Sequence, residues 1–170
     1  NNNKKNNLKF IEYDILHYFI QICMGIKYLH ENNIIHRDIK SANIFIDINN
    51  NVKIGDLGII KILKKYMMYA QTRIGTPIYM SPEIFKNERY NTKVDIWSLG
   101  CVLYELITLQ PAFMANDING LKTKIFYGKI NLVPYNYSHD LKTVLHMIMN
   151  VNPNLRPSID NILNIPFKYK

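Results

Sequence analysis

The sequence is poor in several residue types, and each shortage excludes something. Cysteine occurs only twice, at Cys23 and Cys101, both inside strongly apolar stretches. Two such residues support no disulfide framework, and a reducing compartment is the expectation. No run of about 18 uncharged apolar residues occurs, which excludes an ordinary transmembrane helix. The polar start, Asn1 to Asn7, is followed by no apolar h-region, so a secretory signal is not expected either. Arginine appears four times against 17 lysines, whereas a surface that reads nucleic-acid phosphates usually draws more on arginine. Alanine also appears four times while asparagine, isoleucine and lysine dominate, the mark of AT-rich coding. The net charge of +8 is therefore weak ground for a polyanion-binding surface.

What remains is 170 residues, 48% of them apolar, enough for one domain with a real core. Residues 1–7 read as a low-complexity Asn/Lys linker, residues 8–167 as the ordered domain and residues 168–170 as a tail. From Asp14 onward, Ile15, Phe19, Ile22, Ile26 and Leu29 recur at helical spacing up to the Asn32-Asn33 pair. Two short β-type runs, Ile44 to Asp47 and Val52 to Ile54, flank Asn49-Asn50-Asn51 and predict a hairpin. Residues 56–80 show no period, and an irregular stretch of that length inside a domain is usually functional. Ser81-Pro82-Glu83 predicts a helix start with a capping hydroxyl, and Thr92 with Asp95 predicts a capping pair for a longer helix to about Thr108. That second helix is apolar on nearly every side, as a helix in the middle of a domain is. Further helical segments fall near 117–127, 138–149 and 158–164. The expected fold is mostly α (α+β): helices around one buried central helix, with a small β-hairpin near the front.

Three segments carry the chemistry, in order: His36-Arg37-Asp38-Ile39-Lys40-Ser41-Ala42-Asn43, then Asp56-Leu57-Gly58, then Ser81-Pro82-Glu83. Phosphoryl transfer to a hydroxyl needs a carboxylate at the nucleophile, hard oxygen donors for Mg²⁺ and a cation on the moving phosphoryl group. Asp38 suits the first role, Asn43 and Asp56 the second, and Lys40 the third. The hairpin brings Asn43 and Asp56 together, since one precedes its first strand and the other follows its second. The three segments resemble the H-R-D-x-K-x-x-N, D-F-G and A-P-E motifs of eukaryotic protein kinases. The resemblance implies the C-terminal lobe of a kinase fold that uses ATP and Mg²⁺ to phosphorylate proteins.

Further roles follow from that resemblance. Lys40 and the Gly75-Thr76-Pro77 run are similar to those of serine/threonine kinases, in which the threonine, here Thr76, bonds the catalytic pair. Phe45 falls where the family places an apolar floor beneath adenine. Arg37 implies control by phosphorylation of the loop that follows, at Thr72, with Arg37 and Lys61 as basic partners, by an activating kinase or in trans. Glu83 and Arg156 match a buried ion pair, and Asp95 matches the aspartate that holds the catalytic loop's backbone. His36 and Leu57 match a stacked apolar spine. The remaining histidines, His17, His30, His139 and His146, show no metal-ligand spacing and read as surface or helix-face residues.

Within the superfamily, three runs are similar to the NIMA-related (Nek) kinases. They are Ile39 to Phe45, Ile74 to Glu83 and Asp95 to Leu106. That implies cell-cycle, centrosome or ciliary roles; the expectation is a cytoplasmic protein, with nuclear or centrosomal association open, whose partners are proteins rather than nucleic acid or membrane. Leu57 replaces the usual phenylalanine but keeps an apolar residue beside the metal aspartate. Glycines stand at 25, 55, 58, 75, 100, 120 and 128, so the family's G-x-G-x-x-G loop is not among these residues, nor are its V-A-I-K lysine and partner glutamate. The expectation is a C-lobe whose N-lobe lies upstream, inactive by itself. The alternatives are a truncated kinase-like scaffold without catalysis and, resting on charge alone, a basic nucleic-acid binder.

Overall fold

The computed structural model describes residues 10–56, 77–131 and 133–167. The chain runs through helix α1 (Glu12–Glu31), a 3₁₀ turn (Ser41–Asn43), strands β1 (Ile44–Ile46) and β2 (Val52–Ile54), and the short helix α2 (Pro82–Phe85). It continues through α3 (Lys93–Thr108), α4 (Ile118–Tyr127), α5 (His139–Ile148), a second 3₁₀ turn (Pro153–Leu155) and α6 (Ile159–Leu163).

Helix α3 is the axis. Every residue from Val94 to Tyr104 is buried, including the polar Asp95 and Ser98. A helix with no solvent face must be surrounded, and α1, α5 and the second 3₁₀ turn pack against it. Helix α1 supplies the seven-residue stripe Ile15, Leu16, Phe19, Ile22, Cys23, Ile26 and Leu29, all buried, and also contacts α6 and β2. Burying each of its larger side chains is worth about 1.5–3 kcal/mol. Helix α5 approaches closely at Gly100, where any Cβ would lie 2.5 Å from Met149 Sδ and 2.6 Å from Ile148 Cγ2. Trp97 stacks flat on Phe113, with ring centroids 5.6 Å apart.

Side-chain caps set three of the six helix starts among the described residues. Asp117 accepts from the Asn119 and Gly120 N–H groups, Ser138 from Leu141 and Ser158 from Asn161. Two expected caps do not form. Ser81 precedes α2, but its hydroxyl is buried and has no hydrogen-bond partner among the described residues. Thr92 precedes α3 without capping it, and the Asp95 carboxylate turns away from its own helix start. Proline in the first turn of α2 still favours helix there, since the N–H it lacks would be unpaired anyway.

The hairpin is antiparallel, pairing Ile44 with Ile54, Phe45 with Lys53 and Ile46 with Val52. Its turn is built by Asp47, whose carboxylate accepts from the Asn49 and Asn51 N–H groups, with Asn50 at φ 65°. Gln21 of α1 accepts from the Val52 N–H and Tyr18 donates to Asn50, which fixes the hairpin on α1. No helix among the described residues is long and apolar enough to cross a membrane.

Candidate active site

The loop between α1 and β1 is shaped from below by α3. The buried Asp95 carboxylate accepts from the His36 N–H at 2.9 Å and the Arg37 N–H at 2.8 Å. Arg37 is thereby held at φ 68°, a left-handed conformation that costs a non-glycine residue energy and persists when its surroundings fix it. The Arg37 guanidinium lies over the Tyr90 ring, 5.4 Å from its centroid. Asp95 Oδ2 also meets Nε2 of His30, from the last turn of α1, at 2.8 Å. His30 is thus no surface residue: it points inward and completes the set of groups around Asp95. Helical spacing could not reveal this, because its partner is 65 residues away.

His36 is buried and its tautomer follows from its neighbours. Nδ1 accepts from the Asp38 N–H at 3.2 Å, so Nε2 carries the proton and donates to the Gly55 carbonyl at 3.0 Å. The Gly55 N–H in turn donates to the Asn43 carbonyl at 2.8 Å. The residue before Asp56 is therefore tied to both His36 and Asn43. A Cβ on Gly55 would lie 2.6 Å from the Phe45 ring, which packs across that backbone while staying more than half exposed.

Two side chains converge on one carboxylate. Lys40 Nζ donates to Asp38 Oδ2 at 2.7 Å, and Asn43 Nδ2 donates to the same oxygen at 2.9 Å and to the Asp38 carbonyl at 2.8 Å. Oδ1 of Asp38 has no donor among the described residues and is open to a further hydrogen bond. Because both acceptors facing Asn43 are oxygens, its NH₂ must point at them and its Oδ1 away. Asp56 follows at φ 61° with an exposed carboxylate and no hydrogen-bond partner among the described residues. Asn43 Oδ1 and the Asp56 carboxylate are both hard oxygen donors without competing hydrogen bonds among the described residues, a set that fits Mg²⁺. Leu57, Lys61, Thr72 and Thr76 lie outside the described residues.

Beside this loop, Ser41 Oγ donates to Glu105 Oε2, and the Tyr79 hydroxyl donates to the same carboxylate, 2.8 Å from each oxygen. Burial pushes the Tyr79 phenol up to about 12, with the Glu105 carboxylate adding to the effect and Ser41 opposing it. A cavity of about 320 Å³ opens next to them, lined by Phe10, Ser41, Glu105, Leu106, Leu109, Gln110 and Pro111. In the sequence, the signal for this contact is the Glu105 carboxylate near the end of a helix that is apolar on nearly every side. Below the site, Arg156 donates Nη1 and Nη2 to the two Glu83 oxygens at 2.7 and 2.8 Å. Its remaining N–H groups reach the carbonyls of Asn150, Lys93 and Val151, and its guanidinium lies 5.0 Å from the Trp97 ring centroid. Burial and the Arg156 charge hold the Lys93 amine below its usual range.

A loop pinned to a buried helix through Asp95, a two-stranded hairpin and the helices packed around them form the frame in which the three motif segments stand. Residues 1–168 match the family model for the protein kinase domain, and the chain belongs to that family. It is 46% identical over 165 residues to the probable serine/threonine-protein kinase nek3 of Dictyostelium discoideum, covering 95% of this chain and 15% of that protein. It is 48% identical over 158 residues to mouse serine/threonine-protein kinase Nek1, covering 93% of this chain and 13% of that one. Against human serine/threonine-protein kinase Nek5 the identity is 45% over 166 residues, 97% of this chain and 23% of the relative. The chain thus belongs among the Nek-type protein kinases and spans well under a third of the length of these relatives.

Proposed function

We propose that the intact protein transfers the γ-phosphoryl group of ATP to serine and threonine hydroxyls of proteins. The observation that carries this reading is the convergence of Lys40 and Asn43 on one oxygen of Asp38, which leaves the other oxygen open. Asp38 accepts the proton of the substrate hydroxyl as its oxygen bonds to phosphorus and the bond to the ADP leaving group breaks. Lys40 Nζ, within reach of both the base and the incoming phosphate, balances charge on the moving group. Mg²⁺, held by Asn43 and Asp56, would neutralise the phosphate oxygens. Phe45, exposed on β1, offers an apolar floor for adenine, and the cavity beside Ser41 offers a place for a substrate side chain.

Regulation belongs to the same reading. Thr72 is the phosphorylated residue, by an activating kinase or in trans, with Arg37 and Lys61 as its cationic partners, and Thr76 bonds the Asp38–Lys40 pair. Because the glycine loop, the V-A-I-K lysine and its glutamate are not among these residues, the 170-residue chain alone does not turn over. The protein acts in the cytoplasm, with the nucleus and centrosome as further places of action. Phosphorylation of a generic serine/threonine substrate by the intact protein is the test. Asp38→Asn should lower kcat about 10²–10⁴-fold with the fold unchanged by circular dichroism. Equal activity in wild type and Asp38→Asn overturns the catalytic assignment, and no transfer by either leaves a kinase-like scaffold.

A further inference from the structure

Helices α2 and α4 meet through a crossed arrangement of aromatic and cationic side chains that takes no part in the catalytic-loop network. Phe85, the last residue of α2, and Phe126, from the last turn of α4, meet edge to face with centroids 6.4 Å apart. Each ring is covered by a lysine from the other element. Lys86 Nζ lies 5.6 Å from the Phe126 centroid and Lys122 Nζ 5.9 Å from the Phe85 centroid. The core contacts of α4 are made elsewhere, by the buried Leu121 and Ile125. Phe126 and Lys86 are exposed, and Tyr127 beside them is 72% exposed.

The charge on this face is one-sided. Lys86 and Lys122 stand on the rings, and the flanking stretches 84–91 and 118–131 add Arg89, Lys129 and Lys124, whose ammonium donates to the Met114 carbonyl, against the single carboxylate of Glu88. Glu88 reaches Lys86 only at 4.0 Å, and nearby Asp117 is engaged in capping α4. An ammonium resting on an aromatic face is oriented and partly stripped of water, yet keeps N–H groups free for carboxylates. We propose that this face docks an acidic segment of a protein partner, its carboxylates on Lys86 and Lys122 and an aromatic side chain against Phe126 and Tyr127. Single-stranded nucleic acid fits less well, since it stacks bases on open aromatic faces and here the lysines already cover one face of each phenylalanine.

A random peptide library displayed on phage and panned against the intact protein and its Lys86→Glu/Lys122→Glu variant tests this. Wild type should enrich peptides that combine Asp or Glu with Trp, Tyr or Phe, and the variant should not. A resynthesised member should lose about tenfold or more in affinity on the variant, keep its affinity on Lys86→Arg/Lys122→Arg, and weaken as salt rises. The Lys86→Gln/Lys122→Gln pair should fall between them, and it carries the comparison if thermal melting shows that charge reversal perturbs the fold. Enrichment without acidic bias, equal enrichment on wild type and variant, or tighter binding of a poly-deoxythymidine strand to the same face overturns the proposal.

Discussion

Arg156 and Glu83, 73 residues apart, form a bidentate pair in which the arginine side chain is 0% exposed and the glutamate 3%. Every guanidinium N–H has an acceptor, two on Glu83 and three on backbone carbonyls. A buried pair so completely satisfied is costly to break from one side, because the survivor is left as an unpaired charge away from water. Glu83→Ala or Arg156→Ala should each lower unfolding free energy by about 3–5 kcal/mol, measured by urea denaturation. Arg156→Lys should rescue little, since one ammonium cannot span both oxygens and the three carbonyls.

Asp95 is expected to matter for shape more than for charge. Asp95→Ala would strand the His36 and Arg37 N–H groups, at about 1–3 kcal/mol each. Asp95→Asn keeps an oxygen for one of them and should fall between alanine and wild type. Hydrogen exchange at the His36 and Arg37 amides reads this directly: both should exchange faster in Asp95→Ala even where the helices stay protected.

Alkaline pH should destabilise the fold in two stages. Burial raises the Cys23 and Cys101 thiols well above their ordinary value of 9.0, and raises Tyr79 from 10.0 to about 12. A group whose folded pKa is raised binds more protons folded than unfolded, so its contribution is full below the unfolded pKa and is lost as pH climbs through the folded value. The urea midpoint should therefore begin to fall near pH 9 and fall further between pH 10 and 12. Tyr79→Phe should make the second part shallower without abolishing it, because burial also raises the Tyr104 and Tyr137 phenols and both thiols stay protonated in the folded state there; a profile unchanged by that substitution would remove Tyr79 from the explanation.

The same burial predicts silent thiols. Both cysteines are 0–1% exposed, and the thiolate is the reactive form. Iodoacetamide at pH 8 should label neither in native buffer, and labelling should rise in step with unfolding in urea. Fast native labelling of Cys101 would mean that the centre of α3 opens more readily than its packing implies.

Much of the architecture was written locally. The run from Val94 to Leu106, apolar on nearly every side, marks a helix with no solvent face, and α3 is that helix. The asparagine turn sits where the hairpin bends, and α1, α4, α5 and α6 begin or end within about two residues of the expected positions. Of the motif residues among those described, Asp38, Lys40 and Asn43 gather around one carboxylate. The misses have a common physical cause. Ser81 and the Thr92–Asp95 pair satisfy a local capping rule, yet Asp95 finds better donors 58 and 59 residues away. His30 lies on the same helix as exposed His17 and differs from it only in what the fold puts opposite. The Tyr79–Glu105–Ser41 contact joins three segments that no spacing connects.

The way Asp95 grips the loop also bears on portability. A peptide spanning His36 to Asn43 contains Asp38, Lys40 and Asn43, but nothing that would hold Arg37 in a left-handed turn or aim Asn43 at Asp38. That shape is imposed by a carboxylate far along the chain, so the loop can acquire it only after the central helix has docked. Grafting those eight residues onto another scaffold would transfer the letters and leave the geometry behind unless an acceptor in the place of Asp95 travelled with them.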